Sequence, residues 1–129
     1  MSNALELYDS RVSYIRFTAE GAEVHFSFAY IYQAKGAPGR DPGSAWSQEA
    51  ILYLESPQAV DPLPPLPNTI RDGYLENGGR RYEMIPLPFE RKTPGRLHLE
   101  FADGSVLEVK GEHPLIKLVG EKVFLEDFN

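Results

Sequence analysis

A chain of 129 residues, 42% hydrophobic and 12% aromatic, suffices for a single domain spanning residues 1–129 and is too apolar to stay disordered. Its formal net charge of −6 argues against nucleic-acid binding, which needs a basic face, and the lack of cysteine removes disulfides, thiolate metal sites and thiol nucleophiles. No apolar run approaches the roughly 20 residues of a membrane helix, so no membrane partner is expected.

Residues 12–17 read as a first strand and 24–32 as a second, joined by a loop over 18–23. Pairing Phe17 with Val24 sets Ile15 against Phe26 and places Val24, Phe26, Phe28 and Tyr30 on one face. Residues 33–45 contain Gly36, Pro38, Gly39, Pro42 and Gly43 and read as a loop longer than chain reversal requires. Residues 46–55 are apolar on both faces, with Ala50, Leu52 and Leu54 against Ile51 and Tyr53, as in a central strand covered on both sides.

Residues 56–69 hold Pro57, Pro62, Pro64, Pro65 and Pro67. Proline gives no ladder hydrogen bond, so this stretch is expected to be an extended crossover within the one domain. A hairpin follows: strands over 70–76 and 80–85 flank Asn77-Gly78-Gly79. Pro86, Pro88 and Pro94 then confine the chain to an edge or loop.

Residues 95–110 carry the clearest pattern. A three-residue turn, Ala102-Asp103-Gly104, pairs Leu99 with Leu107 and Leu97 with Val109, and leaves His98 beside Glu108 in water. A one-residue slip would put a carboxylate on the apolar face. Gly104 then occupies a left-handed position. Residues 115–119 and 123–128 read as two more strands about Gly120. The expected architecture is all-β, an antiparallel β-sandwich or open barrel of about eight strands with little helix.

The chemistry-bearing motifs are sparse. His25, His98 and His113 are isolated in sequence, whereas a metal needs at least three converging ligands, so no metal site and no cofactor are expected. No nucleophile elbow, phosphate loop or dinucleotide fingerprint is present. Arg80, Arg81, Arg91, Lys92 and Arg96 cluster near Tyr74, Tyr82 and Phe89, but Glu83 and Glu90 intervene and a solvated hairpin face is the better reading. The candidate contact surface is the 33–45 loop with Tyr30, Tyr32 and Trp46 at its base, because aromatic side chains beside an adaptable loop make good anchors. Arg40 and Asp41 add charged contacts.

The stretch Leu7-Tyr8-Asp9-Ser10-Arg11-Val12 places Asp and a small residue at what reads as a strand opening. Together with Leu99-x-Phe101-x-Asp103-Gly104 and Leu125-Glu126-Asp127-Phe128, it resembles small β-rich bacterial proteins, among them immunity proteins of polymorphic toxin systems. Those proteins usually have His where this chain has Tyr8, and no functional residue carries over. The resemblance implies a cytoplasmic, non-enzymatic protein that occludes a basic partner such as a toxin. An acidic surface steers basic partners, though acidity mostly serves to keep a protein soluble. A homodimer stays open. The alternatives are a small-molecule barrel walled by Phe26, Phe28, Tyr30 and Tyr53, or a small hydrolase or isomerase on a β scaffold.

Overall fold

The structure, a computed structural model, describes residues 2–128. It contains nine strands: β1 (Ser2–Thr18), β2 (Gly21–Ala34), β3 (Gly43–Ala59), β4 (Asn68–Asn77), β5 (Arg80–Tyr82), β6 (Met84–Leu87), β7 (Phe89–Glu90), β8 (Gly95–Phe101) and β9 (Val106–Phe128). All pairings are antiparallel. The order β4-β8-β9-β3-β2-β1 returns on itself where β1 meets β4 through Arg11↔Thr69 and Val12↔Asn68. The result is an open barrel pinched shut at one point. Strand β6 adds to the far edge of β1, and β7 to β9. Among the described residues there is no helix long and apolar enough to cross a membrane.

The β8–β9 hairpin has the register that alternation demands: Leu99↔Leu107, Leu97↔Val109 and His98↔Glu108. All four apolar partners are fully buried, and Gly104 sits at φ 85°. The barrel interior is filled by such side chains, including Phe89, Phe101, Leu5, Leu52 and Ile70.

Several expected elements are corrected. The β1–β2 register is displaced by two residues, to Phe17↔Ala22 and Ile15↔Val24, because pairing runs on to Thr18↔Gly21. A Cβ on Gly21 would lie 2.2 Å from the Leu54 carbonyl oxygen, so only glycine permits this close approach to β3. Strand β3 is flanked by β2 and β9, but Ile51 and Tyr53 are only half-buried, so just one of its faces is covered. The proline-rich crossover shrinks to residues 60–67, since β3 runs through a bulge around Pro57 to Gln58↔Lys110 and Ala59↔Val109. The chain does not reverse at Gly120. Gly120 (φ 72°) instead lies in a three-residue bulge, and β9 continues as one 23-residue strand.

Candidate functional site

Two bulges decide which side chains reach the outer surface. In β1, the residues between Glu6 and Arg11 loop out opposite Ala29, with Asp9 at φ 68°. The buried Ser10 hydroxyl donates to the Glu6 carbonyl (2.6 Å) and accepts from the Tyr30 N–H (2.9 Å). These bonds satisfy backbone groups that the bulge would otherwise leave unpaired. Asp9-Ser10 therefore marks a mid-strand bulge, not the opening of a strand.

In β2, an extra residue between Phe26 and Ala29 reverses the alternation. Val24 and Phe26 face the core before it, and Ala29 and Ile31 after it. Phe28, Tyr30 and Tyr32 are thereby turned outward, away from Phe26. This corrects the expected shared face and removes Phe28 and Tyr30 from any interior wall.

Outside, these rings form a ladder that ends on β9. Centroids lie 6.3 Å apart for Phe28–Tyr30, 5.1 Å for Tyr30–Tyr32 and 5.4 Å for Tyr32–Phe128, all in tilted arrangements. Tyr32 pairs in register with Ala4 on β1 and Ala45 on β3, two small buried residues that leave room for its ring. Carboxylates flank the ladder. The Tyr30 hydroxyl donates to Glu126 Oε1 at 3.1 Å. Burial, then the Glu126 hydrogen bond, raises the Tyr30 pKa; burial, then a hydrogen bond to Glu6, raises that of Tyr32. Both phenols therefore remain protonated donors at neutral pH.

The adjoining loop spans residues 35–42, shorter than the expected 33–45, because Gln33, Ala34, Gly43, Ser44 and Ala45 are strand residues. It is internally braced. Lys35 N–H donates to the Pro42 carbonyl, and Arg40 and Asp41 N–H both donate to that of Ala37. The Asp41 carboxylate accepts from Ala37 N–H. A cavity of about 130 Å³ at the loop base is lined by residues including Tyr32, Arg40, Asp41 and Phe128. That is well below the ~300–1,000 Å³ of typical small-molecule pockets and suits one inserted side chain.

Of the five residues singled out from sequence, Tyr30, Tyr32, Arg40 and Asp41 share this surface. Trp46 does not. It pairs with Ile31, a core-facing residue, so it lies on the opposite face of the sheet. There it packs on the core, its indole N–H donates to Ser44 Oγ (2.7 Å), Phe124 meets it edge-on at 5.2 Å, and Lys122 sits 4.4 Å over the ring. Phe28, expected on an interior wall, joins this surface instead, and Phe128, Glu6 and Glu126, which sequence proximity does not connect to it, complete it. Phe128 is 96 residues or more from the tyrosines in sequence, and only the β3–β9 pairing brings it near.

Most of the remaining polar groups contact their own neighbours, although His98 Nδ1 is buried without a hydrogen-bond partner. His25 Nε2 lies 2.8 Å from Glu23, His98 Nδ1 3.5 Å from Glu108, and His113 contacts Glu55 (3.0 Å) and Glu90 (2.6 Å). Among the described residues, no three His, Asp or Glu side chains converge as metal ligands. Arg81 lies 4.3 Å over the Tyr74 ring and 3.1 Å from Glu76, and Arg91 lies 4.3 Å over Phe89. These guanidinium groups engage their own neighbourhood.

The chain matches no protein-family model, and comparisons with characterised proteins and with solved structures found no match either.

Proposed function

We propose that this is a non-enzymatic binding protein of the immunity type, acting in the bacterial cytoplasm by covering the functional surface of a basic partner protein. The observation that carries this reading is the outward aromatic ladder Phe28–Tyr30–Tyr32–Phe128 with Glu6 and Glu126 beside it. Aromatic rings supply rigid contact area, and nearby carboxylates attract Arg or Lys electrostatically while the ring faces add cation–π attraction. The side-chain-sized cavity beside Tyr32 offers a socket for one such anchor. The net charge of −6 favours approach by a basic partner in general. A filled barrel favours this reading over a ligand-carrying barrel.

The test is genome context followed by co-purification and calorimetry: the reading expects a basic protein encoded immediately beside this gene that binds the chain, and its absence would count against the reading. Tyr32→Ala and Glu126→Lys should each weaken that complex by about tenfold or more, as expected for central anchors. Unchanged affinity in both variants would overturn the reading.

A further inference from the structure

Strand β9 changes character past its midpoint. Its outer edge is covered first by β8 and then by β7, which ends at Phe89↔Ile116. From residue 117 to 128 it pairs with β3 alone, so among the described residues its other edge has no strand partner. Every residue from 117 to 127 is exposed. Five large apolar side chains lie in this stretch, from Leu118 and Val119 at 37% exposure to Val123 at 60%, with Phe124 and Leu125 between. Such an edge presents a row of backbone donors and acceptors ready for one more strand. Bulges at 120–122 and at Leu125, with Lys117 and Lys122, blunt it against indiscriminate pairing.

Charge decides what fits there. Glu121, Glu126 and Asp127 lie along the edge with Lys117 and Lys122, and Lys122 is engaged over Trp46, which leaves the stretch acidic. A second copy would bring the same carboxylates. The two-fold antiparallel register that best matches its apolar residues puts Leu118 opposite Phe124 and Val119 opposite Val123. That register also sets Glu121 against its own symmetry mate, and like charges directly opposed are destabilising. A basic, apolar segment instead sets opposite charge against Glu121 and is placed in register by keeping its own cations away from Lys117. The outward residues here, Val123, Glu126 and Phe128, also continue the aromatic ladder, so an added strand would extend the same surface.

We propose that the free edge of β9, residues 117–128, takes up an extended basic and apolar segment of the partner protein as an additional strand. The proposal rests on the reading that the partner is basic and covers the aromatic face, and it supplies the main-chain half of that contact.

Amide hydrogen exchange on the full chain tests it, with two blocked peptides of about eight residues as probes, one alternating Val and Lys and the other Val and Glu. The Lys peptide should slow alternate amides on either side of the 120–122 bulge by about tenfold, because the intervening amides already point toward β3. The Glu peptide should leave them unchanged, and Glu121→Lys should weaken the Lys peptide by about tenfold. Absence of protection, or equal protection by both peptides, would overturn the proposal. Protection that rises with protein concentration without peptide, alongside a dimer in sedimentation, would overturn it in favour of a second copy. If Tyr32→Ala weakens the partner complex but neither peptide nor partner protects the edge, this proposal fails alone. If the edge is protected while Tyr32→Ala changes nothing, the aromatic-face reading fails and strand addition stands.

Discussion

The first and second halves of β9 carry comparable apolar side chains and meet opposite fates. Leu107 and Val109 are fully buried and Ile116 is 7% exposed, whereas Leu118, Val119, Val123, Phe124 and Leu125 are 37–60% exposed. The difference comes from the neighbours. In the first half β8 and β3 flank the strand and the ring curves its inner face over the core. Strand β8 has only seven residues, so the ring loses one wall where it ends. Ring closure, more than strand hydrophobicity, determines which apolar residues stabilise this fold, and an unclosed stretch becomes surface for association.

Mutations sharpen that comparison. The largest effect is expected at Leu107→Ala, which should destabilise by about 2–5 kcal/mol through lost transfer energy and a residual cavity, read from the denaturant midpoint. Gly104→Val should cost about 1–2 kcal/mol, because a β-branched residue resists φ 85° and nothing nearby would clash with the added Cβ. Val123→Thr, on the open half, should change stability by no more than about 0.5 kcal/mol. A cost at Val123 matching that at Leu107 would break the distinction between the halves.

The pH dependence probes the junction itself. His113 stands where β9 passes between β3 and β7, with both ring nitrogens against carboxylates. Neutral imidazole has one N–H and ionised carboxylates only accept, so the imidazolium satisfies both contacts. Its pKa is raised above 6.5, chiefly by the hydrogen bond to Glu90 and further by that to Glu55, against some desolvation. A group with a raised folded-state pKa stabilises fully below its unfolded value and loses that contribution as pH rises through the folded value. The difference in midpoint between the native chain and His113→Gln should therefore be present below about pH 6.5 and disappear on raising the pH.

The β8–β9 hairpin was legible because apolar alternation and a turn glycine agree on one register. The β1–β2 hairpin was legible only in which residues face inward: a shift of two residues preserves every face, so Phe17↔Val24 and Phe17↔Ala22 look alike to alternation. The aromatic site was half legible. Tyr30 and Tyr32 stand out by residue type, yet their outward direction comes from the Phe26–Ala29 bulge, which strict alternation cannot represent. Trp46 lies near them in sequence but pairs with the core-facing Ile31, so nearness along the chain does not put it on their face. Gly120 misled for a related reason, since a left-handed glycine serves a bulge as well as a turn.

The most direct measurement is amide hydrogen exchange along β9 in the free protein. The ladder amides of residues 106–116 should exchange only through global unfolding, while the edge-facing amides of residues 117–128 should exchange orders of magnitude faster. Uniform protection from Leu107 to Phe128 would show that the second half is covered after all, and would contradict the account.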